Sequence, residues 1–263
     1  MQLIGEPPPT QFDINFSVMG VPVRVHPLFF LGVLIFSGAR LDPTWIAIFG
    51  VAMFLALLVH ELGHVMAFMH YGIRSRVVLY FMGGLAIPDS GTNSGIWSNF
   101  GGYSRSRSNV QGWAQVVISA AGPLAGFALA AITIIAAKLA GIDVTFHLDR
   151  GIYIWQVHND NPALHNLAQF VHAMLFTNIL WGILNLLPIF PLDGGQIARQ
   201  LFIMADPWKG INHSLWLSVF AAGAVAIWMM FSQQNPMGAM WFGAMGLGAF
   251  QQLQGGFGGR RPW

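Results

Sequence analysis

Apolar residues gather in six stretches of the chain, near residues 26–39, 44–70, 113–139, 163–190, 213–231 and 237–253, with the polar residues collected between them. A hydrocarbon core of ~30 Å takes about 20 helical residues to cross, so these runs predict spanning α-helices, the first and last short for the task. Helix punctuation agrees. Asp42-Pro43 and Asn161-Pro162 each offer a capping side chain followed by proline at the first helical position. Gly72 and Gly141 stand where a helix ends in a left-handed residue.

Between the second and third stretches the pattern changes. Ile73–Tyr80 is rich in β-branched and aromatic residues, Gly83-Gly84 can turn, and Leu85-Ala86-Ile87 precedes Pro88. This predicts a short β-hairpin at the membrane edge, with residues 89–112 a flexible loop rich in glycine and serine. Residues 142–161 are expected to form a short loop on the opposite side. The fold class is thus an all-α polytopic membrane protein of about six transmembrane helices with a small membrane-associated hairpin. A segment 1–25 precedes the membrane domain 26–253, and a tail 254–263 follows it.

Composition sharpens the class. The 263 residues are 55% hydrophobic and 8% charged, with a mean hydropathy of +0.57, whereas soluble domains carry roughly a quarter charged residues. With the N-terminus inside, the cytoplasmic segments hold nine of the twelve basic residues: Arg24, Arg74, Arg76, Arg105, Arg107, Arg199, Lys209, Arg260 and Arg261. Arg40, Lys138 and Arg150 fall on the other side. The bias predicts cytoplasmic termini. No basic run suits nucleic acid. The chain has no cysteine, which excludes disulfides, thiolate ligands and a cysteine nucleophile. Residues 1–23 carry no Lys or Arg and are not expected to act as a secretory signal.

The chemistry sits near the end of the second stretch, in His60-Glu61-Leu62-Gly63-His64. Residues four apart share a helix face, so both imidazoles can reach one metal ion, and the glutamate between them is placed to act on water. Glu61 is one of two glutamates in the chain and follows the apolar run Val51–Val59. A charged side chain in a membrane helix costs about 2.5–3.5 kcal/mol on insertion scales and marks function by default. A structural polar patch is the blander alternative. Catalytic zinc usually has three protein ligands and an open position. The candidate third ligand is Asp193, at the end of Asn185-Leu186-Leu187-Pro188-Ile189-Phe190-Pro191-Leu192-Asp193-Gly194. It is expected at the same depth as the histidines, with a helix cap as the alternative. Pro188 and Pro191 would interrupt the helix there and expose backbone groups.

At these residues the chain resembles the site-2 protease family of intramembrane metalloproteases, in its compact bacterial form without a PDZ insertion. The resemblance runs from Val21-Pro22-Val23-Arg24-Val25-His26-Pro27 to the sixth stretch. It includes Phe81-Met82-Gly83-Gly84 and Ala121-Gly122-Pro123-Leu124-Ala125-Gly126. It departs at Gly126, where many relatives carry Asn. The resemblance implies one zinc ion per chain, held by His60, His64 and Asp193, with Glu61 as general base. Asn185, Gly83 and Gly84 would help hold the substrate or its oxyanion. It further implies regulated intramembrane proteolysis of a single-span membrane protein in a bacterial inner membrane. Asn178 is expected to hydrogen-bond between helices, and His70 and His172 to be packing residues. A metal-ion transporter and an inactive helix-binding homologue are the competing functions. Intact ligand motifs and the absence of a carboxylate relay leading outward count against both.

Overall fold

The computed structural model describes residues 6–38, 42–81, 83–88, 112–149 and 152–258. The loop expected at 89–112 therefore lies outside the described residues except for Gly112, as do residues 259–263 of the tail. Two compact units emerge, Met1–Val110 with Ala121–Gly182, and Gln111–Ala120 with Ile183–Trp263.

The first unit opens with strands rather than coil. β1 (Ile14–Val18) and β2 (Val21–Val25) form a tight hairpin, followed by α1 (Leu28–Phe36) and α2 (Pro43–His70). β3 (Ser75–Tyr80) and β4 (Gly83–Pro88) form the hairpin foreseen in the sequence. That hairpin is half of a larger sheet. β2 lies parallel to β3, with Val23 opposite Val77, and the strand order is β1-β2-β3-β4. Val21, Val23 and Val25 are buried at alternate positions of β2, as one covered face requires.

Arg24 and Glu6 tie this sheet together. Arg24 donates to Glu6 Oε1 at 2.9 Å and to Asp13 Oδ2 at 3.0 Å, while Arg76 on β3 donates to Glu6 Oε2 at 2.9 Å. The Thr10 hydroxyl, its backbone N–H and the Arg24 guanidinium hold Asp13 down to about 2. A carboxylate with a lowered folded-state pKa stabilises the fold above its ordinary value and loses that contribution as pH falls through the folded value. The β1–β2 hairpin should therefore loosen between about pH 3.8 and about 2. Amide exchange, corrected for intrinsic rates, should show β1 losing protection relative to α2 across that window. The Asp13→Asn chain should lack the change. Equal protection of β1 at pH 5 and pH 2 in the parent chain would contradict the assignment.

α3 (Trp113–Leu139) follows, then β5 (Asp143–Asp149) and β6 (Ile152–His158). The expected loop at 142–161 is thus an antiparallel hairpin, with Asp143 opposite His158. Ile142 and Val144 bury against Ala130 and Ala137 of α3 and against Ala168, Val171 and Leu175. Those last three lie on α4 (His165–Leu175), which continues through a π-helical turn at Phe176–Leu180 into α5 (Trp181–Asn185).

The second unit contains α6 (Asp193–Ala205), α7 (Gly210–Phe231) and α8 (Pro236–Gly258). Ala222 of α7 packs with Phe242 and Met245 of α8 and with Ile189, and Leu215 packs with Ala249 and Leu253. Residues 254–258, expected in the tail, belong to α8.

Among the described residues, four helical segments are long and apolar enough to cross a membrane: Pro43–His70, Trp113–Leu139, Pro162–Asn185 and Gly210–Phe231. The expectation of six is reduced at both ends. α1 has nine residues, about 14 Å of helix at 1.5 Å per residue, under half of a ~30 Å core. α8 has 23 residues, but Gly238, Gly243, Gly246, Gly248, Gln251 and Gln252 dilute its apolar character.

The predicted caps are in place. Asp42 accepts from Thr44 N–H at 2.9 Å and Asn161 from Ala163 N–H at 3.0 Å. Gly72 and Gly141 have φ of +75° and +78°.

Candidate metal centre

α2 carries the first two donors. His60 and His64 lie one turn apart with their Nε2 atoms separated by 3.2 Å. Two nitrogens bonded to one tetrahedral zinc at 2.0–2.1 Å stand about 3.3 Å apart, so the pair matches that requirement. His60, Glu61 and His64 are 5%, 4% and 7% exposed. Two imidazoles and a carboxylate are a costly set to bury without a function or a counter-ion.

Glycines bring the neighbouring backbone close to these side chains. A methyl at Gly63 would meet Ala121 O at 2.5 Å and Ala125 Cβ at 2.8 Å, so the α3 backbone sits directly on α2. Small residues at helix contacts allow this approach in membrane proteins. On another side, β4 presents Gly84 to the catalytic candidate. A methyl there would fall on Glu61 Cγ and lie 2.5 Å from Glu61 Oε1. Gly83 has φ +124°, a conformation open to glycine, and its missing side chain leaves room for the Trp181 ring. Beside it, burial and the Glu61 carboxylate push the Tyr80 phenol up to about 12, so it remains a neutral donor at physiological pH.

Gly84→Ala is expected to displace the Glu61 carboxylate, and any turnover that depends on that group should fall by at least about 100-fold, the lower range for general acid–base catalysis. The His pair should keep its metal. Turnover within a few-fold of the parent would show that the strand can move without moving Glu61.

Asp193 is placed by its own local structure. The chain leaves the helix after Asn185, and residues 186–192 are non-helical before α6 begins at Asp193. The two prolines thus interrupt the fourth stretch as predicted; the Phe190–Pro191 peptide is cis. Ser218 of α7 anchors the interruption, its hydroxyl accepting from Phe190 N–H at 3.0 Å and donating to Ser214 O at 2.9 Å. Methyl groups at Gly194 and Gly195 would collide with the backbone of Leu186, Ile189 and Phe190. The glycine pair after the aspartate therefore exists so that the loop can fold back on α6. Asp193 itself occupies the first turn of α6, while Leu192 holds the cap position.

Among the described residues, His60, His64 and Asp193 form a group that could hold a metal ion. One donor atom from each lies within 4.8 Å of the other two. Asn185 is the partly buried last residue of α5.

Asn178 does not make the expected interhelical bond through its amide nitrogen. Nδ2 donates to Met174 O of the same helix at 2.8 Å, and among the described residues the buried Oδ1 has no hydrogen-bond partner. Asn178 lies within the π-helical turn. His172 lies between the rings of Trp45 and Trp155, at 6.4 and 6.0 Å between centroids, and His70 packs on Tyr71, as expected for packing histidines.

Apolar helices around a buried His-Glu-x-x-His segment define a membrane-embedded metalloprotein. Comparison with known proteins gives the family. The sequence model of Peptidase family M50 matches residues 48–227, and the chain belongs to that family. It is 25% identical over 189 residues to a zinc metalloprotease of Methanocaldococcus jannaschii, an alignment covering 71% of this chain and 44% of that protein. The chain thus spans under half the length of this curated relative. It is similar in fold to the site-2 protease solved from the same organism, with a TM-score of 0.55 and 20% identity, covering 92% of this chain and 95% of that one.

Proposed function

We propose that this chain is an intramembrane zinc endopeptidase that hydrolyses a peptide bond in or near the transmembrane segment of a single-span membrane protein. His60, His64 and Asp193 hold one zinc ion, and Glu61 is the general base. The observation that carries this reading is a donor group of the right composition and spacing, with a buried carboxylate between its two imidazoles. When bound, zinc supplies Lewis-acid chemistry, polarising a carbonyl and lowering the pKa of water toward about 7.

The protein's own residues do the rest. Glu61 takes a proton from the attacking water on its carboxylate and later gives it to the leaving amine. The water-poor surroundings of Glu61 strengthen every charge interaction the reaction makes. A substrate helix must unwind before its carbonyl can be attacked, and its freed backbone groups then need partners. β4 is an edge of the four-stranded sheet and lies against Glu61 through Gly84. An unwound substrate segment adds to that edge as a further strand. Gly83 and Gly84 leave its approach clear, and Asn185 helps orient it. Release of a membrane-tethered factor, as in regulated proteolysis in a bacterial inner membrane, is the corresponding cellular role.

The test uses purified protein and a single-span substrate labelled on both sides of its membrane segment. Cleavage should stop on removal of zinc by a chelator and return on adding zinc. Cleavage that persists in zinc-free protein, or zinc flux into liposomes without cleavage, would overturn the reading.

A further inference from the structure

The Ala121–Gly126 run on α3 contributes no ligand, yet it faces the metal donors, and its second residue stands closest to them. An ideal methyl built on Gly122 would fall on His64 Nε2, 2.5 Å from His64 Cε1 and 2.8 Å from His60 Nε2. Both imidazole nitrogens that the metal reading assigns as ligands therefore point at a spot on α3 that lacks a side chain. An ion bonded to two nitrogens lies 2.0–2.1 Å from each. A methyl at 122 would compete for that volume.

We propose that Gly122 is a positioning residue that makes the metal seat: its missing side chain leaves the space in which an ion can bond both Nε2 atoms. The inference rests on the zinc reading above. The neighbouring small residues separate this role from simple helix packing. At Gly63 a methyl would meet Ala121 and Ala125, backbone and side chain of α3, as expected of two helices in contact. At Gly126, one turn beyond Gly122, the nearest atom to an added methyl is Asn178 Oδ1 at 3.5 Å, ordinary van der Waals contact. Position 122 alone of these three excludes a methyl by means of the donor atoms themselves. The atoms a methyl would meet are ring atoms at the ends of two side chains rather than backbone, so the substitution should tax metal binding more than the fold. Alanine is also the better helix former of the two, which works against any loss of stability from the backbone.

The experiment compares full-length wild type, Gly122→Ala, Gly126→Ala and His60→Ala, purified in detergent, stripped with chelator and reloaded with zinc. Zinc per chain and the zinc-induced rise in Tm are measured for each. Wild type and Gly126→Ala should bind about one ion and gain thermal stability, as a ligand of the native state must confer. Gly122→Ala should weaken zinc affinity by at least the about 10–100-fold that loss of a supporting contact costs a metal site. It should melt with wild type when both are zinc-free. Equal zinc binding by wild type and Gly122→Ala would overturn this inference alone. Failure of zinc-free Gly122→Ala to fold where zinc-free wild type folds would also overturn it, making Gly122 a packing residue. Zinc bound by none of the chains would remove the metal reading and this inference with it.

Discussion

Glu61→Gln should lower the kcat for cleavage of a labelled single-span substrate by about 10²–10⁴-fold, the range a general base supplies. The substitution keeps the size and hydrogen-bonding reach of the side chain and removes its capacity to take a proton. Gly84 leaves no slack on one side of that side chain, so a near-isosteric amide is the right probe. Zinc content should stay at one ion per chain, because Glu61 lies outside the donor group. Mass spectrometry of the metal alongside the rate separates loss of chemistry from loss of the ion. Unimpaired cleavage by the Gln chain would take Glu61 out of the mechanism.

The second large effect is expected at Asp193. On the ligand set proposed above, removing its carboxylate leaves the ion two imidazoles, one protein ligand short of the usual catalytic set. Asp193→Ala should weaken zinc affinity by more than the about 10–100-fold attributed to partners outside the ligand shell, and cleavage should fall to background with it. The fold should survive, since Leu192 rather than Asp193 occupies the cap of α6 and Ser218 holds the preceding loop. Excess zinc should restore activity in part. A chain that keeps both its zinc and its activity without this carboxylate would require another third ligand.

The spanning helices were legible because hydrophobicity is a local property: the bounds of α2 and α3 follow the apolar runs to within a residue or two. Caps were legible for the same reason, each resting on a side chain two residues from its target. The sheet was only half legible. β3 and β4 are neighbours two residues apart, with Gly83 and Gly84 paired in β4 rather than forming the turn, but β2 finds β3 across some fifty residues and a whole spanning helix, and no local pattern announces such a pairing. In β1, four of five residues are exposed, so the alternation that marks a half-buried strand is missing. The β5–β6 hairpin buries against α3 and α4, a packing that no local pattern announces. The motif spacing brought His60, Glu61 and His64 to attention. Gly84 was named there only for substrate contact, and the approach of Gly84 to Glu61 and of Gly122 to the two imidazoles appears only when the opposing side chains are in place.

The position of His60 and His64 along α2 has a further consequence. Glu61 stands eighteen residues after Pro43 and nine before His70, which at 1.5 Å per residue is about 27 Å from one end and about 14 Å from the other. A scissile bond brought to this level would divide a membrane segment unequally. One fragment would keep enough greasy residues to stay anchored, and the other would carry only a brief greasy end, short enough to slip into water.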